Sequence, residues 1–262
     1  MISFVFMRKL IAANWKMNNG NESSASLAKE LAEVLEHESK ADIVVCPPFT
    51  SLGFVSSSIK GSNIRLGAQN MHYEESGAFT GEISPLMLKS AGCEFVILGH
   101  SERREFFREE DILINKKIIS ALKHGLVPIL CIGETLEQKK KKWTEEVLEK
   151  QLNNCLSDVE NNSAKKIIIA YEPVWAISRG DPNAKAATPK DAETAHHFIR
   201  SVLAGMYGND ISDSIRILYG GSMKPENAKE LLSIKGVDGG LIGNASLNAK
   251  SFAEIVKAAE KA

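Results

Sequence analysis

Short apolar runs alternate with longer stretches of helical spacing from one end of the chain to the other. Eight runs read as strands: Leu10–Asn14, Asp42–Cys46, Ile64–Ala68, Phe95–Leu98, Val127–Ile132, and residues 166–171, 215–219 and 237–242. They are continuously apolar and rich in β-branched residues, the pattern of parallel strands buried on both faces. Their spacing is close to that of a βαβ unit, ~30 residues. The intervening stretches carry helix signals. Ser84-Pro85 and Thr188-Pro189 each set a capping hydroxyl before a proline suited to a first helical turn. Thr135 and Gln138 fit a capping box, and Val147, Leu148, Leu152 and Leu156 recur at helical spacing over residues 144–156. No linker or shift of composition interrupts the alternation. The pattern predicts an α/β fold, a single (β/α)8 barrel over residues 1–262, with residues 1–6 as an N-terminal extension.

In a closed barrel of parallel strands the carboxyl ends gather on one face, where ligands bind. Those ends are polar here. The first strand runs into Asn14-Trp15-Lys16-Met17-Asn18, the fourth into Gly99-His100-Ser101-Glu102-Arg103-Arg104, and the fifth into Gly133-Glu134. The sixth ends in Glu172, the seventh in Gly220-Gly221-Ser222 and the eighth in Gly243-Asn244. Singly, each has an ordinary explanation: a surface lysine, a structural histidine, an ion pair between Glu102 and Arg103, a turn at Gly220-Gly221. Together they bring a lysine, a histidine, a carboxylate and two glycine loops to one rim. Glycine lets backbone N–H groups approach phosphate oxygens, and the loops after the seventh and eighth strands are where barrels commonly bind phosphate. A small phosphorylated molecule is the expected ligand.

Composition narrows the classes. The chain has 262 residues with 32 basic and 33 acidic side chains, interspersed, so nothing points to nucleic acid or to a polybasic membrane patch. The run Lys139-Lys140-Lys141-Lys142 reads as a solvated helix face. No apolar run approaches the ~18 residues of a membrane span. Four cysteines, Cys46, Cys93, Cys131 and Cys155, lack CxxC spacing and predict reduced, buried thiols in a cytoplasmic protein. No metal-ligand spacing is evident.

The motifs resemble those of the triosephosphate isomerase family over essentially the whole chain. They are Asn14-Trp15-Lys16-Met17-Asn18, Gly77-Ala78-Phe79-Thr80-Gly81-Glu82, Gly99 to Arg104, Cys131-Ile132-Gly133-Glu134, Ala170 to Ile177, and Tyr219-Gly220-Gly221-Ser222. The resemblance implies a TIM barrel that interconverts dihydroxyacetone phosphate and D-glyceraldehyde 3-phosphate through an enediolate, in glycolysis and gluconeogenesis, without cofactor or metal. It casts Glu172 as the base, His100 as a neutral electrophile, Asn14 and Lys16 as substrate ligands and Glu102 as a supporting carboxylate. Ser178, Gly220, Gly221, Ser222, Gly243 and Asn244 fall at phosphate-binding positions. Pro173, Val174 and Trp175 match one hinge of a lid, and Lys185, Ala186 and Ala187 the other. Thr80 and Phe79 match a loop that docks into a second subunit, which implies a homodimer.

The chain departs from the family pattern at four places. Ten residues lie between Ile177 and Thr188, about four more than usual, a change of low entropic cost in a surface loop. Ser178 falls where a glycine is common. Asn244 replaces a second glycine, and asparagine is expected there as a residue that tolerates a left-handed backbone. Ala13, also in place of a glycine, is minor. Another phosphosugar isomerase or epimerase on the same barrel is a rival that fold alone leaves open. A barrel kept as a binding partner is a second, favoured only by the altered lid segment.

Overall fold

A computed structural model describes residues 7–38, 40–177 and 187–262. The expected extension at residues 1–6 lies outside them. Eight parallel strands close into a barrel in chain order. They are β1 Leu10–Asn14, β2 Asp42–Cys46, β3 Ile64–Ala68, β4 Phe95–Leu98, β5 Val127–Ile132, β6 Ile168–Tyr171, β7 Arg216–Tyr219 and β8 Gly239–Ile242. The first five match the expected bounds. The last three begin later, because their leading residues finish the preceding turn: Ile167 N–H donates to Ala164, Ile215 N–H to Ser212 and Val237 N–H to Ile234.

The helices in chain order are α1 Asn21–Val34, α2 Leu52–Ser58, α3 Pro85–Ser90, α4 Ser101–Phe106, α5 Asp111–Lys123 and α6 Leu136–Lys140. They continue with α7 Thr144–Cys155, α8 Asn161–Ala164, α9 Pro189–Tyr207, α10 Asn209–Ser214, α11 Pro225–Leu232 and α12 Ala249–Ala259. The capping signals operate as read. Ser84 accepts from Met87 N–H, Thr135 from Gln138 N–H and Thr188 from Asp191 N–H, the last two within capping boxes.

Strand pleating sorts the core into two layers. Leu10, Ala12, Val44, Cys46, Phe95, Ile97, Ile129, Cys131, Ile168, Ala170, Leu218 and Leu241 fill the barrel interior. Their strand neighbours, among them Ile11, Ala13, Ile43, Val45 and Val96, face outward against the helices. Both faces are dry, which is why these strands show no alternation in sequence. The interior packing also fixes the strand ends in space, so their polar residues stand on a rigid floor.

Away from the rim, the outer layer holds a buried imidazole. His196 of α9 is fully buried, with Nδ1 3.0 Å from the Gly236 carbonyl oxygen, beside the rings of Tyr171 and Tyr219. Nδ1 must carry the proton to make that bond. Burial pushes His196 down to about 4, against an ordinary value of 6.5, so the folded protein holds it neutral. Between those values the unfolded chain binds a proton that the folded chain refuses. Stability is therefore complete above pH 6.5 and declines as pH falls toward 4, by up to ~1.4 kcal/mol per pH unit. In urea titrations across that window, His196→Asn is expected to lose stability at every pH but to show a shallower decline on acidification than the unsubstituted chain.

Candidate active site

The polar strand ends converge, except that of the fifth strand, where Glu134 turns instead to Tyr171 and Trp175. Asn14, Lys16, His100, Glu102, Glu172, Gly220, Gly221, Ser222, Gly243 and Asn244 all line one cavity of about 670 Å³ at the carboxyl ends of the strands. Ile177, Met223, Lys224, Glu226 and Ser251 extend its wall. Ser178, Lys185 and Ala186 lie outside the described residues. Val174 and Trp175 do not face this cavity; they line a neighbouring one behind Glu172 with Cys131 and Gly133. Thr80 and Phe79 stand apart on an exposed loop.

Glu172 forms the cavity floor. It follows β6 directly, and its N–H donates to Ile132 of β5 at 2.7 Å. The carboxylate is buried at 2 % exposure, with Oε2 accepting from the Ser101 N–H at 2.9 Å and Oε1 3.0 Å from His100 Nε2. Space for it comes from two glycines. A Cβ on Gly133 would lie 1.8 Å from the Glu172 carbonyl oxygen, and one on Gly220 would lie 2.8 Å from Glu172 Cγ. Gly221 is excused a side chain by Tyr219 and Pro173, which a Cβ would meet at 2.3 and 3.1 Å. These glycines are required by packing against Glu172 and its neighbours, a stronger reason than close approach to a phosphate. Beneath the Glu172 carboxylate, the Cys131 thiol is pushed well up by its own burial and by the Glu172 charge.

His100 caps α4. Its Nδ1 accepts the Glu102 N–H at 3.2 Å, so Nδ1 carries no proton and Nε2–H faces the cavity and Glu172. An imidazole so held is neutral and is a donor at Nε2. The 3.6 Å approach of Glu102 Oε2 to Nδ1 is not a bond to a ring nitrogen already engaged as an acceptor.

Lys16 sits in a left-handed backbone conformation, φ 52°, which costs a non-glycine residue roughly 1–2 kcal/mol. Three bonds hold it there. Asn14 Oδ1 accepts the Lys16 N–H at 3.0 Å, Gln69 Nε2 donates to the Lys16 carbonyl at 2.8 Å, and Nζ bonds Glu102 Oε1 at 2.5 Å. Gln69 also donates to the Cys46 carbonyl at 2.9 Å, tying the loop after β1 to the end of β2. Glu102 is thus reached by Lys16 through its side chain and by His100 through its backbone. Gln69 was not singled out from sequence. It directly follows β3, so the reading that found Glu172 after β6 would have found it had the third strand end been treated alike.

Asn244 does not take the left-handed backbone anticipated for it. It opens a single helical turn, Asn244–Leu247, and is absent from the residues of positive φ. A side chain is accommodated there without a left-handed backbone. The lysine run also departs from expectation at its first member. Lys139 is half-buried, its Nζ bonded to Asp191 Oδ1 at 2.7 Å and seated 3.5 Å from the centre of the Trp175 ring. Lys141, by contrast, is an exposed partner of Glu137, as a solvated face requires.

Gln69→Leu keeps the volume and removes both bonds to the rim. It is expected to leave the circular dichroism spectrum unchanged and to lower kcat/KM for a triose phosphate on the order of tenfold, by releasing Lys16 from its strained conformation.

The comparisons with known proteins agree with this geometry. The family model described as triosephosphate isomerase matches residues 9–259. A protein named triosephosphate isomerase from Carboxydothermus hydrogenoformans is 51% identical over 252 residues, covering 96% of this chain and 99% of its own. One of the same name from Fusobacterium nucleatum is 50% identical over 253 residues, with 96% and 99% covered. The crystal structure of triosephosphate isomerase from Bartonella henselae superposes with a TM-score of 0.87 at 41% identity, covering 96% of this chain and 99% of that one. The chain belongs to the triosephosphate isomerase family, and it is an isomerase.

Proposed function

We propose that Glu172 is the base of this isomerase and that it moves one proton between adjacent carbons of a triose phosphate. The observation that carries the reading is the buried Glu172 carboxylate set against the Nε2–H of a neutral His100 at 3.0 Å. Removing a proton beside a carbonyl builds negative charge on oxygen. His100 Nε2–H and Lys16 Nζ are preorganised donors for that charge, and Asn14 braces Lys16 from below. The same groups serve when the oxygen roles exchange and the proton returns to the neighbouring carbon. Dihydroxyacetone phosphate and D-glyceraldehyde 3-phosphate are so interconverted, without redox change. The phosphate is assigned to the end of the cavity bounded by Gly220, Gly221, Ser222, Gly243 and Asn244. Pro173, Val174, Trp175 and Ala187 are carried as flanks of a cover that keeps water from the enediolate. The whole chain is read as one domain.

Glu172→Asp draws the carboxylate back by one carbon, and a misplacement of ~1 Å can cost ~100-fold in turnover. A coupled assay with glyceraldehyde 3-phosphate is expected to show that loss with the fold intact. Turnover equal to the unsubstituted chain would remove Glu172 from the role of base and reopen the other phosphosugar reactions.

The assembly is proposed to be a homodimer. Residues 74–82 form a continuously exposed loop, and its Phe79, 41% exposed, packs on the His72 ring at 4.3 Å and against the Gly77 backbone. Met17, 96% exposed, stands beside Lys16 as a second apolar group in solvent. A self-complementary contact burying both is the economical account, since C2 dimers are the commonest assembly. Thr80 is read as reaching toward Asn14 and His100 of the second copy. The four free, buried cysteines suit a reducing compartment, and the cytoplasm is the proposed location. Phe79→Asp is expected to dissociate the dimer and depress activity together in light scattering across a dilution series. A fully active monomer at every concentration would contradict the assembly.

A further inference from the structure

The chain leaves the site through Pro173 and a single helical turn, Val174–Ala176, and returns at Thr188 into α9. Both flanks touch one residue. On the outgoing side, Trp175 is held at its edge by Glu134, which accepts the indole N–H at 2.8 Å and the Tyr171 hydroxyl at 3.2 Å. The Val174 N–H donates to the Glu134 carbonyl at 3.1 Å, so the turn is also pinned through its backbone. On the face of the same indole lies the Lys139 ammonium, 3.5 Å from the ring centre. On the returning side, Asp191 spends Oδ2 on the Thr188 N–H and hydroxyl, at 3.0 and 2.6 Å, and offers Oδ1 to Lys139 at 2.7 Å.

We infer that Lys139 is a positioning residue for the isomerisation: its charge clamps the Trp175 ring to Asp191, and so fixes the two flanks around the chain that carries Glu172. The clamp combines two attractions on a half-buried ammonium. A cation over an indole face is strongest when partly desolvated, and the ion pair to Asp191 removes the competing water. Glu172 lies three residues before Trp175, and no other described contact of the Trp175 ring face involves a charge. Lys139 does not line the substrate cavity. Its loss therefore leaves ground-state binding in place and acts on the placement of the base, so kcat is the quantity that moves. A structural role alone would lower stability and leave kcat of the folded enzyme untouched.

The inference rests on the proposed role of Glu172, and the test separates the two. Turnover by the unsubstituted chain bears on the functional reading, and only ratios between variants bear on Lys139. Lys139→Met keeps the stem and removes the charge, Lys139→Arg keeps the charge, and Asp191→Asn breaks the pair from the other side. Lys139→Met is expected to lower kcat on the order of tenfold with KM within about twofold, and Lys139→Arg to restore most of it. Asp191→Asn and the double variant should fall to about the level of Lys139→Met, since both remove one interaction. Tryptophan emission, recorded in a Trp143→Phe background to remove the exposed indole, should change for Lys139→Met and not for Lys139→Arg. Asp191→Asn carries the test if Lys139→Met does not fold. Unchanged kcat in folded Lys139→Met or Asp191→Asn, equal impairment of Lys139→Met and Lys139→Arg, or additive effects in the double variant would each overturn the clamp.

Discussion

A carboxylate taken out of water must be given donors, and the site is organised around how that is done for Glu172. Its two oxygens meet the Ser101 N–H and His100 Nε2–H, both at the start of α4. The donors come from the end of β4 and the acceptor from the end of β6, so the contact exists only if the barrel places those ends at a fixed separation. The dry interior of Phe95, Ile97, Cys131, Ile168 and Ala170 supplies that rigidity. Gly133 and Gly220 supply the room, since a single added methyl at either would strike Glu172. Burial raises the free energy of the charged form, and the donors lower it again. What results is a carboxylate held dry and close to the His100 Nε2–H.

The same rim holds strain in Lys16. Its left-handed backbone is maintained by bonds from Asn14, Gln69 and Glu102. Glu102 is the hub of this half of the site. Its backbone fixes the tautomer of His100 while its side chain fixes the ammonium of Lys16, so imidazole and ammonium are set by one residue. Pairing with Glu102 keeps Lys16 aimed along the cavity wall and shields it from bulk solvent. The proposal that both groups stabilise one developing oxyanion follows from that common anchor.

Most of the architecture was legible in the chain. Uniform apolar runs marked strands buried on both faces, and the first five strands fall at their expected bounds because nothing competes with the ladder there. The last three strands start late because Ile167, Ile215 and Val237 complete hydrogen bonds of the preceding turns, a competition invisible to hydropathy. Chemistry was legible where a polar residue interrupts an apolar run, as at Asn14, His100 and Glu172. It was less legible where a role depends on a partner distant in sequence. Gln69 reaches across 53 residues to Lys16, and Lys139 across 52 to Asp191. Four consecutive lysines look alike in sequence, and only the fold distinguishes the first from the rest. Asn244 illustrates the reverse case, an apparent backbone demand that the helical turn beginning there does not make.

The central claim is that a single carboxylate carries the proton between two carbons. Conversion of glyceraldehyde 3-phosphate in deuterium oxide, followed by NMR of the product, tests it most directly. Proton transfer through Glu172 predicts that hydrogen is delivered to one face only, so that all deuterium taken up from solvent sits at a single prochiral position of dihydroxyacetone phosphate, and that turnover is lost in Glu172→Gln. Deuterium scrambled over both prochiral positions, or turnover that continues at an undiminished rate in Glu172→Gln, would contradict it.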